Sequence, residues 1–242
     1  TEAGTLLFRA SKPHVEALLA AENTLNNFQN LPRGHLKILF PLEFFSSIIA
    51  EIMTKFAVLY PEIHISCHHY HEQFPENELN YDLSYDLHYD LVFVLHEQAL
   101  ADSQWIGKSL LSFPQSLYSG TKQCAAKVKQ PSDLSLVNCV QSITNKPWLF
   151  RHTESTETVN VKEKIVLSSP QMRLSAVKAN LGFAIFPDYV LENKQDREAL
   201  TRVELSSSPV AQQLTVLYQT RSLPKKTRVF LDFFQSNLGA LK

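Results

Sequence analysis

The chain has 242 residues, of which 44% are hydrophobic and 19% charged, a composition typical of globular domains rather than of disordered or fibrous chains. Its formal net charge is −1, without a long run of Lys or Arg, so this segment has no electrostatic surface for nucleic acid. Three widely spaced cysteines (Cys67, Cys124 and Cys139) argue against a disulfide framework and favour a reducing compartment.

No apolar run of the chain approaches the length of a membrane span. The first residues, TEAGTLLF, contain no initiator Met and no signal-peptide pattern. This start indicates a chain cut from a longer protein.

Residues 5–31 are predicted to form a long amphipathic helix. Leu7, Val15 and Leu18 belong to an approximately helical apolar stripe, and the Ala and Glu residues between them favour helix. Pro13 should kink or restart this helix. The stripe is narrow, so we expect it to pair either with another chain or with its own domain.

A β-α-β-α-β pattern follows. HLKILF predicts a short strand, apolar residues at helical spacing lead from it to Pro61, and IHIS alternates as a strand. LVFVL is a continuous apolar run of the kind found in buried parallel sheets. The connections are long enough for crossovers between parallel strands.

The second half of the chain continues to alternate. An extended segment is interrupted at Pro114, TKQCAAKV predicts a short helix, and LVNCV and VKEKIVLS predict strands. Ser169 and Pro170 have the cap-then-proline order of a helix start. FAIFP and QLTVLYQT predict strands, and PKKTRVFLDFFQSNL predicts a final amphipathic helix. This alternation indicates an α/β fold.

Six of these motifs, in this order and spacing, resemble the regulatory part of LysR-type transcriptional regulators over almost the whole chain. The motifs are GHLKI, FAVLYPEIHI, YDLVFVL, the stretch from PSDLSLVNCV to PWLF, VKANLGFAIFPDYV, and LTVLYQTRSLPKKTRVFLDFF. The family usually has Gly-Leu-Gly before the strand that corresponds to FAIFP, and this chain has Asn-Leu-Gly. Asn180 tolerates a left-handed backbone, so we expect the turn to be retained.

The resemblance implies an α/β fold with two Rossmann-like lobes of periplasmic-binding-protein type II, preceded by a long linker helix. Residues 1–4 are then the tail of a winged helix-turn-helix, and residues 5–31 are the helix that dimerises the protein. Residues 35–112 and 211–242 form the first lobe, and residues 113–208 form the second. The two crossovers between lobes fall near 113–117 and 206–212.

The implied function is that of an effector-sensing domain in a cytoplasmic, DNA-binding transcriptional regulator. A small-molecule effector is expected in the cleft between the lobes, and DNA is expected to bind through an N-terminal domain outside this chain. A homodimer or homotetramer is expected, with no membrane partner and no cofactor. The alternative is a solute-binding protein of a transporter, which has the same fold but needs an export signal.

An enzyme is not predicted. The chain has no GxSxG motif, no cysteine in a reactive motif and no glycine-rich phosphate loop. HISCHHYHE could bring Cys67, His69 and His71 to one zinc ion, because thiolate and imidazole are preferred zinc ligands. Side chains two apart on a strand run parallel instead of converging, so polar residues at a strand end, or a pH-sensitive group, are the favoured interpretations. No metal site and no catalytic residue are therefore predicted.

The cleft residues are expected at the carboxyl ends of strands and at two helix N-termini, where ligands bind in open α/β sheets. By position, the resemblance assigns the following residues to effector binding: Leu42, Glu43, Phe44, His71, Glu72, Ser119, Thr121, Gln141, Ser142, Ser169 and Pro187.

Glu43 bears on the charge of the effector. The family commonly has a small hydroxyl residue there, whereas a carboxylate would repel an anionic ligand in a desolvated cleft. One hypothesis is therefore that the effector is cationic, neutral or absent. The alternative is that Glu43 only occupies a first helical turn, where acidic residues are favoured.

The triplet YDL occurs three times at a spacing of four, beginning at Tyr81, Tyr85 and Tyr89. Asp90 and Leu91 in the last copy enter the strand LVFVL, where the family also has Asp-Leu, so this copy is expected to serve the fold. The first two copies are predicted to form a polar, aromatic segment at the rim of the lobe rather than a catalytic cluster.

Overall fold

The structure, a computed structural model, describes residues 1–28, 32–41, 47–70, 89–152, 155–191 and 193–238. A long helix, α1, covers Glu2–Phe28. Pro13 lies inside this helix, so the helix does not restart there, and the alternative expectation of a kink stays a prediction. Proline removes one backbone donor, but the helical bonds on either side hold the same helix together. Leu7, Val15 and Leu18 are each more than half exposed, so these three residues of the apolar stripe are not covered by this chain.

The first half of the chain forms the predicted strands and helix, and the strand containing IHIS is longer than predicted. Its elements are β1 (Gly34–Pro41), α2 (Ser47–Leu59), β2 (Ile63–Tyr70), β3 (Leu91–His96), β4 (Ile106–Phe113) and β5 (Gln115–Ser119).

The second half contains all the predicted elements and a hairpin that the sequence patterns did not predict. Its elements are α3 (Lys122–Ala125), β6 (Asn138–Gln141), β7 (Trp148–Arg151), β8 (Thr156–Val159), β9 (Lys162–Val166), α4 (Pro170–Lys178), β10 (Ala184–Pro187), α5 (Lys194–Glu198), β11 (Thr201–Arg202), β12 (Gln212–Tyr218) and α6 (Lys225–Asn237). The hairpin is β7–β8. Ser169 is the N-cap residue of α4, as predicted.

The strands form one large sheet and three small ones. The large sheet has the order β2-β1-β3-β12-β4. In it β1 runs parallel to β2 and β3, whereas β12 returns antiparallel between β3 and β4. The sheet β10-β5-β11, the pair β6-β9 and the hairpin make up the rest. The chain leaves the large sheet at Pro114, between β4 and β5, and re-enters it at Gln212.

The large sheet packs against α2 and α6 through a cluster of phenylalanine rings. Phe40 on β1 stacks on Phe93 of β3 with centroids 4.2 Å apart, and Phe234 of α6 lies 4.9 Å from Phe93. Phe56 of α2 meets Phe230 of α6 edge to face. All five rings are fully buried, so this cluster fixes the helices on the sheet.

Asp90 ties the N-terminal ends of two strands to α6. Its carboxylate accepts a hydrogen bond from the backbone N–H of Lys37 at 2.9 Å and lies 3.2 Å from Nζ of Lys226. The Lys226 ammonium also donates to the carbonyl of His35. The last YDL copy therefore serves the fold, as predicted.

The turn before β10 depends on Asn180 and Gly182. Asn180 has φ +59°, the left-handed conformation that asparagine adopts more readily than most residues, so the expectation for this turn is confirmed. Gly182 precedes a close pairing with β6: Phe183 N–H donates to the Asn138 carbonyl at 2.9 Å, and Val140 N–H donates to the Phe183 carbonyl at 2.7 Å. These bonds place β10 beside β6.

Candidate functional site

A cavity of about 40 Å³ lies where the large sheet meets the smaller sheets. The large sheet supplies Gln212 and the residue after β3, Glu97, and the other walls come from β5, β7, β10, α4 and the segment after β6. The lining residues are Glu97, Gln115, Val140, Ser142, Lys146, Trp148, Leu149, Arg173, Ile185, Pro187 and Gln212. Their position beyond the carboxyl end of β3 is one where open α/β sheets bind ligands.

An ion pair crosses one wall of this cavity. Lys146 Nζ lies 3.3 Å from Oε2 of Glu97, and both side chains are less than a third exposed. The other carboxylate oxygen, Oε1, accepts a hydrogen bond of 3.0 Å from the Gln115 amide. The same amide nitrogen donates to the Val210 carbonyl at 2.7 Å. Gln115 thus holds Glu97 and joins it to the segment before β12. Because the Glu97–Lys146 pair is half-buried, salt screens it less than it screens an exposed pair.

The loop that carries Lys146 is held by Gln141. The Gln141 side chain is 3% exposed, and its amide nitrogen, in the orientation that satisfies its neighbours, donates to the carbonyls of Ile143 at 3.2 Å and Lys146 at 2.8 Å. Gln141 thereby positions the lysine without lining the cavity itself.

Arg173 supplies a second positive charge. It is 3% exposed, and its guanidinium donates to the carbonyls of Leu167 and Ser168 at 3.3 and 3.1 Å. Its central carbon lies 5.9 Å from the centroid of the Phe186 ring, within reach of a cation–π interaction. Arg173 both fixes the loop before α4 and lines the cavity.

Two further lining residues carry N–H groups that the described part of the chain does not pair. Gln212 and Trp148 are 7% and 9% exposed. Gln212 Oε1 accepts a hydrogen bond of 2.8 Å from the Tyr189 hydroxyl, whereas its amide nitrogen and the Trp148 indole nitrogen have no acceptor among the described residues. Neither nitrogen is among the fully enclosed atoms of the described residues, so both are open to a guest that accepts hydrogen bonds.

The predicted site residues fall into three groups. Ser142 and Pro187 line the cavity. Leu42, Glu43, Phe44, His71 and Glu72 lie outside the described residues. The third group, which is described but does not line the cavity, consists of Ser119, Thr121, Gln141 and Ser169.

Apart from Gln141, this third group has local roles. The buried Ser119 hydroxyl donates to the Thr121 carbonyl at 2.9 Å. The Thr121 side chain accepts from the backbone N–H of Cys124 at the start of α3. The Ser169 carbonyl accepts from the backbone N–H of Arg173.

Sequence reasoning missed the charged and amide residues of the cavity. Glu97 could have been found, because it follows directly on the apolar run of β3 at a carboxyl end. Gln115 and Gln212 could also have been found, because each begins a strand at a predicted crossover and is a polar side chain beside an apolar run. Lys146 and Arg173 have no comparable signal in the sequence.

The histidine-rich strand carries no metal cluster in the part of the chain that the structure covers, which contains no group of three or more His, Cys, Asp or Glu placed to hold an ion. On β2, His68 Nδ1 lies 3.0 Å from the Tyr89 hydroxyl. His35 on β1 shares a hydrogen bond of 2.6 Å with the Ser66 hydroxyl of β2. These contacts join neighbouring segments of the large sheet.

The three cysteines are free thiols, and two of them should be unreactive. Burial raises the pKa of Cys67 to about 11 and that of Cys139 to about 12. At pH 8 roughly one Cys67 in a thousand, and fewer Cys139, is therefore thiolate, the reactive form. We expect titration of the native protein with an aromatic disulfide reagent at pH 8 to give one fast thiol, Cys124, and denaturation to release the other two.

The Cys124→Ser variant is the control for this titration. It should lose the fast phase and retain both slow thiols. A fast phase that persists in Cys124→Ser would show that Cys67 or Cys139 reacts in the folded protein.

Comparison with solved structures defines the class of fold. Full-length AphB of Vibrio cholerae, a member of the LTTR family, matches with a TM-score of 0.67 at 21% identity, over 99% of this chain and 79% of AphB. CrgA of Neisseria meningitidis, a LysR-type transcriptional regulator, matches with a TM-score of 0.65 at 20% identity, over 99% of this chain and 80% of CrgA. The regulatory domain of Synechocystis CcmR, solved with 2-PG, matches with a TM-score of 0.61 at 16% identity, over 84% of this chain and 97% of that domain. The fold is the two-lobed α/β fold of periplasmic-binding-protein type II, as predicted.

Sequence comparison gives the family. The LysR substrate binding domain family matches residues 29–239, and the chain belongs to this family. An uncharacterized HTH-type transcriptional regulator of Haemophilus influenzae is 23% identical over 239 residues, covering 96% of this chain and 80% of that protein. The chain therefore contains the effector-binding regulatory domain of a LysR-type transcriptional regulator, and the alternative of a transporter's binding protein is not supported. Among the described residues no helix has the length and hydropathy of a membrane span.

Proposed function

We propose that this domain senses a small polar effector in the cavity between Glu97, Lys146 and Gln212. The observation that supports the site most directly is the Glu97–Lys146 ion pair, which joins the end of β3 to the loop after β6 across the cavity wall. A ligand that binds against this pair contacts both lobes at once and so changes how the two lobes are held together. Because ligands act by binding one conformation better than another, this contact is a suitable point of control.

The regulator itself is proposed to act as a cytoplasmic homodimer or homotetramer and to bind DNA through an N-terminal domain outside this chain. The exposed apolar stripe of α1 supports an oligomer, since Leu7 and Leu18 are 70% and 73% exposed and a solvated stripe of this kind favours pairing with another helix. The limits of the lobes at 35–112 with 211–242, and at 113–208, are part of the proposal.

The first-lobe side of the effector site is proposed to include Leu42, Glu43, Phe44, His71 and Glu72. Glu43 remains the basis for a hypothesis that a purely anionic effector is disfavoured. On the other side, Ser142 and Pro187 are proposed as contacts, and Gln141 as the residue that holds the Lys146 loop. The presence of 2-PG in the CcmR regulatory domain supports a small-molecule ligand for a domain with this fold.

The proposal is tested by thermal unfolding of the protein with a library of small polar compounds. A ligand at about 100 times its Kd adds about 2.7 kcal/mol to the free energy of unfolding, which for a chain of this size raises the melting temperature by roughly 5–10 °C. We expect at least one compound to do so. A library that leaves the melting temperature unchanged would contradict effector sensing.

Two adjacent glutamines of β12 test where the compound binds. Gln212 lines the cavity, whereas Gln213 is bonded to the Ser112 hydroxyl and lies outside it. We expect Gln212→Leu to weaken binding by about tenfold, the effect of one lost hydrogen bond to a buried polar group, and Gln213→Leu to leave the Kd unchanged. Equal effects of the two substitutions would exclude this cavity as the site.

A further inference from the structure

The charges around the cavity restrict the ligand more than the fold does. Glu97 and Lys146 present a carboxylate and an ammonium 3.3 Å apart. Both are fixed from behind: Gln115 holds the carboxylate, and Gln141 binds the backbone of the loop that carries the lysine. The cavity wall therefore contains a fixed pair of opposite charges rather than two charges that can separate freely.

A ligand with only one charge fits this wall poorly. A carboxylate on Lys146 would lie beside the Glu97 carboxylate, which opposes the attraction of Lys146 and Arg173. An ammonium on Glu97 would lie beside Lys146, with Arg173 also lining the cavity. Like charges in a partly desolvated site repel, and such repulsion is a common source of selectivity.

A zwitterion avoids this repulsion. In the head group of an α-amino acid, a single carbon separates the ammonium from the carboxylate, a spacing close to that of a contact ion pair. Placed head to tail against the pair, its ammonium meets Glu97 and its carboxylate meets Lys146. Each of the four charges, two from the protein and two from the ligand, then has two neighbours of opposite charge. Both ends of the ligand therefore form charge-assisted hydrogen bonds.

The remaining polar groups favour the same orientation. The amide nitrogen of Gln212 and the indole nitrogen of Trp148 are accessible donors without acceptors in the described part of the chain, and a carboxylate offers about four lone-pair sites. The volume of about 40 Å³ corresponds to about three water-sized groups. A head group of this size fits far better than a sugar or an aromatic ring.

We propose that the cavity recognises the zwitterionic head group of a small α-amino acid, with its ammonium on Glu97 and its carboxylate on Lys146. This inference rests on the proposed function and specifies the ligand class of that site. The structure assigns Gln212 and Trp148 as further donors to the carboxylate.

The test compares each standard L-amino acid with its decarboxylated amine and its deaminated acid, by calorimetry at pH 7 on the complete protein. We expect one or more amino acids to bind at least about tenfold more tightly than either partner compound, the effect of losing one charge-assisted hydrogen bond. Equal binding of an amino acid and its deaminated acid would overturn the ligand class. A failure of every amino acid to bind at millimolar concentration would do so as well.

Substitutions at the ion pair give a second, independent readout. Glu97→Gln keeps an oxygen for Gln115 and should weaken amino acid binding by about tenfold while tightening that of the deaminated acid. Lys146→Met should weaken amino acid binding and tighten that of the amine, whereas Lys146→Arg should retain amino acid binding. Glu204→Gln and Lys194→Met are the controls, because those side chains are 85% and 86% exposed.

The outcomes separate the two proposals. Acid binding that Glu97→Gln leaves unchanged but Lys146→Met abolishes would overturn the zwitterion and retain the cavity as the effector site. Binding of any compound that all the ion-pair and Gln212 variants leave unchanged would overturn the site itself.

Discussion

Replacing Phe93 with alanine is expected to lower the free energy of unfolding by about 3–5 kcal/mol, the usual cost of truncating a fully buried phenylalanine. Phe93 lies on β3, at the centre of the large sheet, and is 0% exposed. It stacks on Phe40 at 4.2 Å and meets Phe234 at 4.9 Å. Removal of the Phe93 ring would leave a cavity between β3 and α6. Phe40 and Phe234 cannot move to fill it, because Phe40 is fixed on β1 and Phe234 on α6.

Urea denaturation followed by circular dichroism checks this value. Leu136→Ala is the matched control, because Leu136 is 78% exposed and its truncation should change the free energy of unfolding by less than about 0.5 kcal/mol. Phe93→Leu should fall between the two. If Phe93→Ala cost no more than Leu136→Ala, the phenylalanine cluster would not be the main packing contact of the large sheet.

The sequence was sufficient to locate most strands and helices. Continuous apolar runs such as the one in β3 have few alternatives, since a short run between turn signals must be buried on both faces. Pro61 and Pro114 marked real boundaries, because a proline ends regular structure where its neighbours do not compensate. Pro13 did not, since the surrounding helix is long enough to lose one hydrogen bond and continue.

The β7–β8 hairpin and the order of the strands were not readable from local patterns. Each strand of the hairpin is only four residues long, too short for alternation to be distinguished from chance. The insertion of β12 between β3 and β4 joins residues about a hundred or more positions apart. Such pairing follows from tertiary packing rather than from local propensity. The family resemblance grouped residues 211–242 with the first lobe but gave no strand order.

Two of the predicted site residues, Ser142 and Pro187, line the cavity, but the sequence did not predict its charges. The family resemblance supplied these two residues, in agreement with the rule that ligands lie beyond the carboxyl ends of strands. The charge of the site comes instead from Glu97, Lys146 and Arg173, which are brought together from three distant segments. No spacing in the sequence links them, because only tertiary packing brings their segments together.

Gly182→Ala is expected to cost about 3 kcal/mol in free energy of unfolding, at the upper end of the usual range for overpacking. A methyl group on Gly182 would lie 2.5 Å from the carbonyl oxygen of Asn138 and 3.1 Å from the backbone nitrogen of Cys139. Both are backbone atoms of β6. The hydrogen bonds that join Phe183 to Asn138 and Val140 hold them in place. They cannot rotate away as a side chain would.

Gly107→Ala in β4 is the matched control for this prediction. There the new methyl group would meet only side-chain carbons of Leu217 and Thr215 at 3.5 Å, an ordinary contact distance. Thermal and urea unfolding of both variants should therefore show a large loss for Gly182→Ala and a change within about 1 kcal/mol for Gly107→Ala. Similar values for the two would mean that β10 does not need its close approach to β6.

The same comparison explains why the turn accepts asparagine at one glycine position of the family and not at the other. At position 180 the requirement is a positive φ of 59°, which asparagine meets, so Asn180→Gly should be nearly neutral. At position 182 the requirement is empty space beside β6, which only glycine provides. Since β10 carries Ile185 and Pro187 to the cavity, Gly182→Ala should also weaken effector binding in the fraction of protein that remains folded, whereas Asn180→Gly should leave it intact.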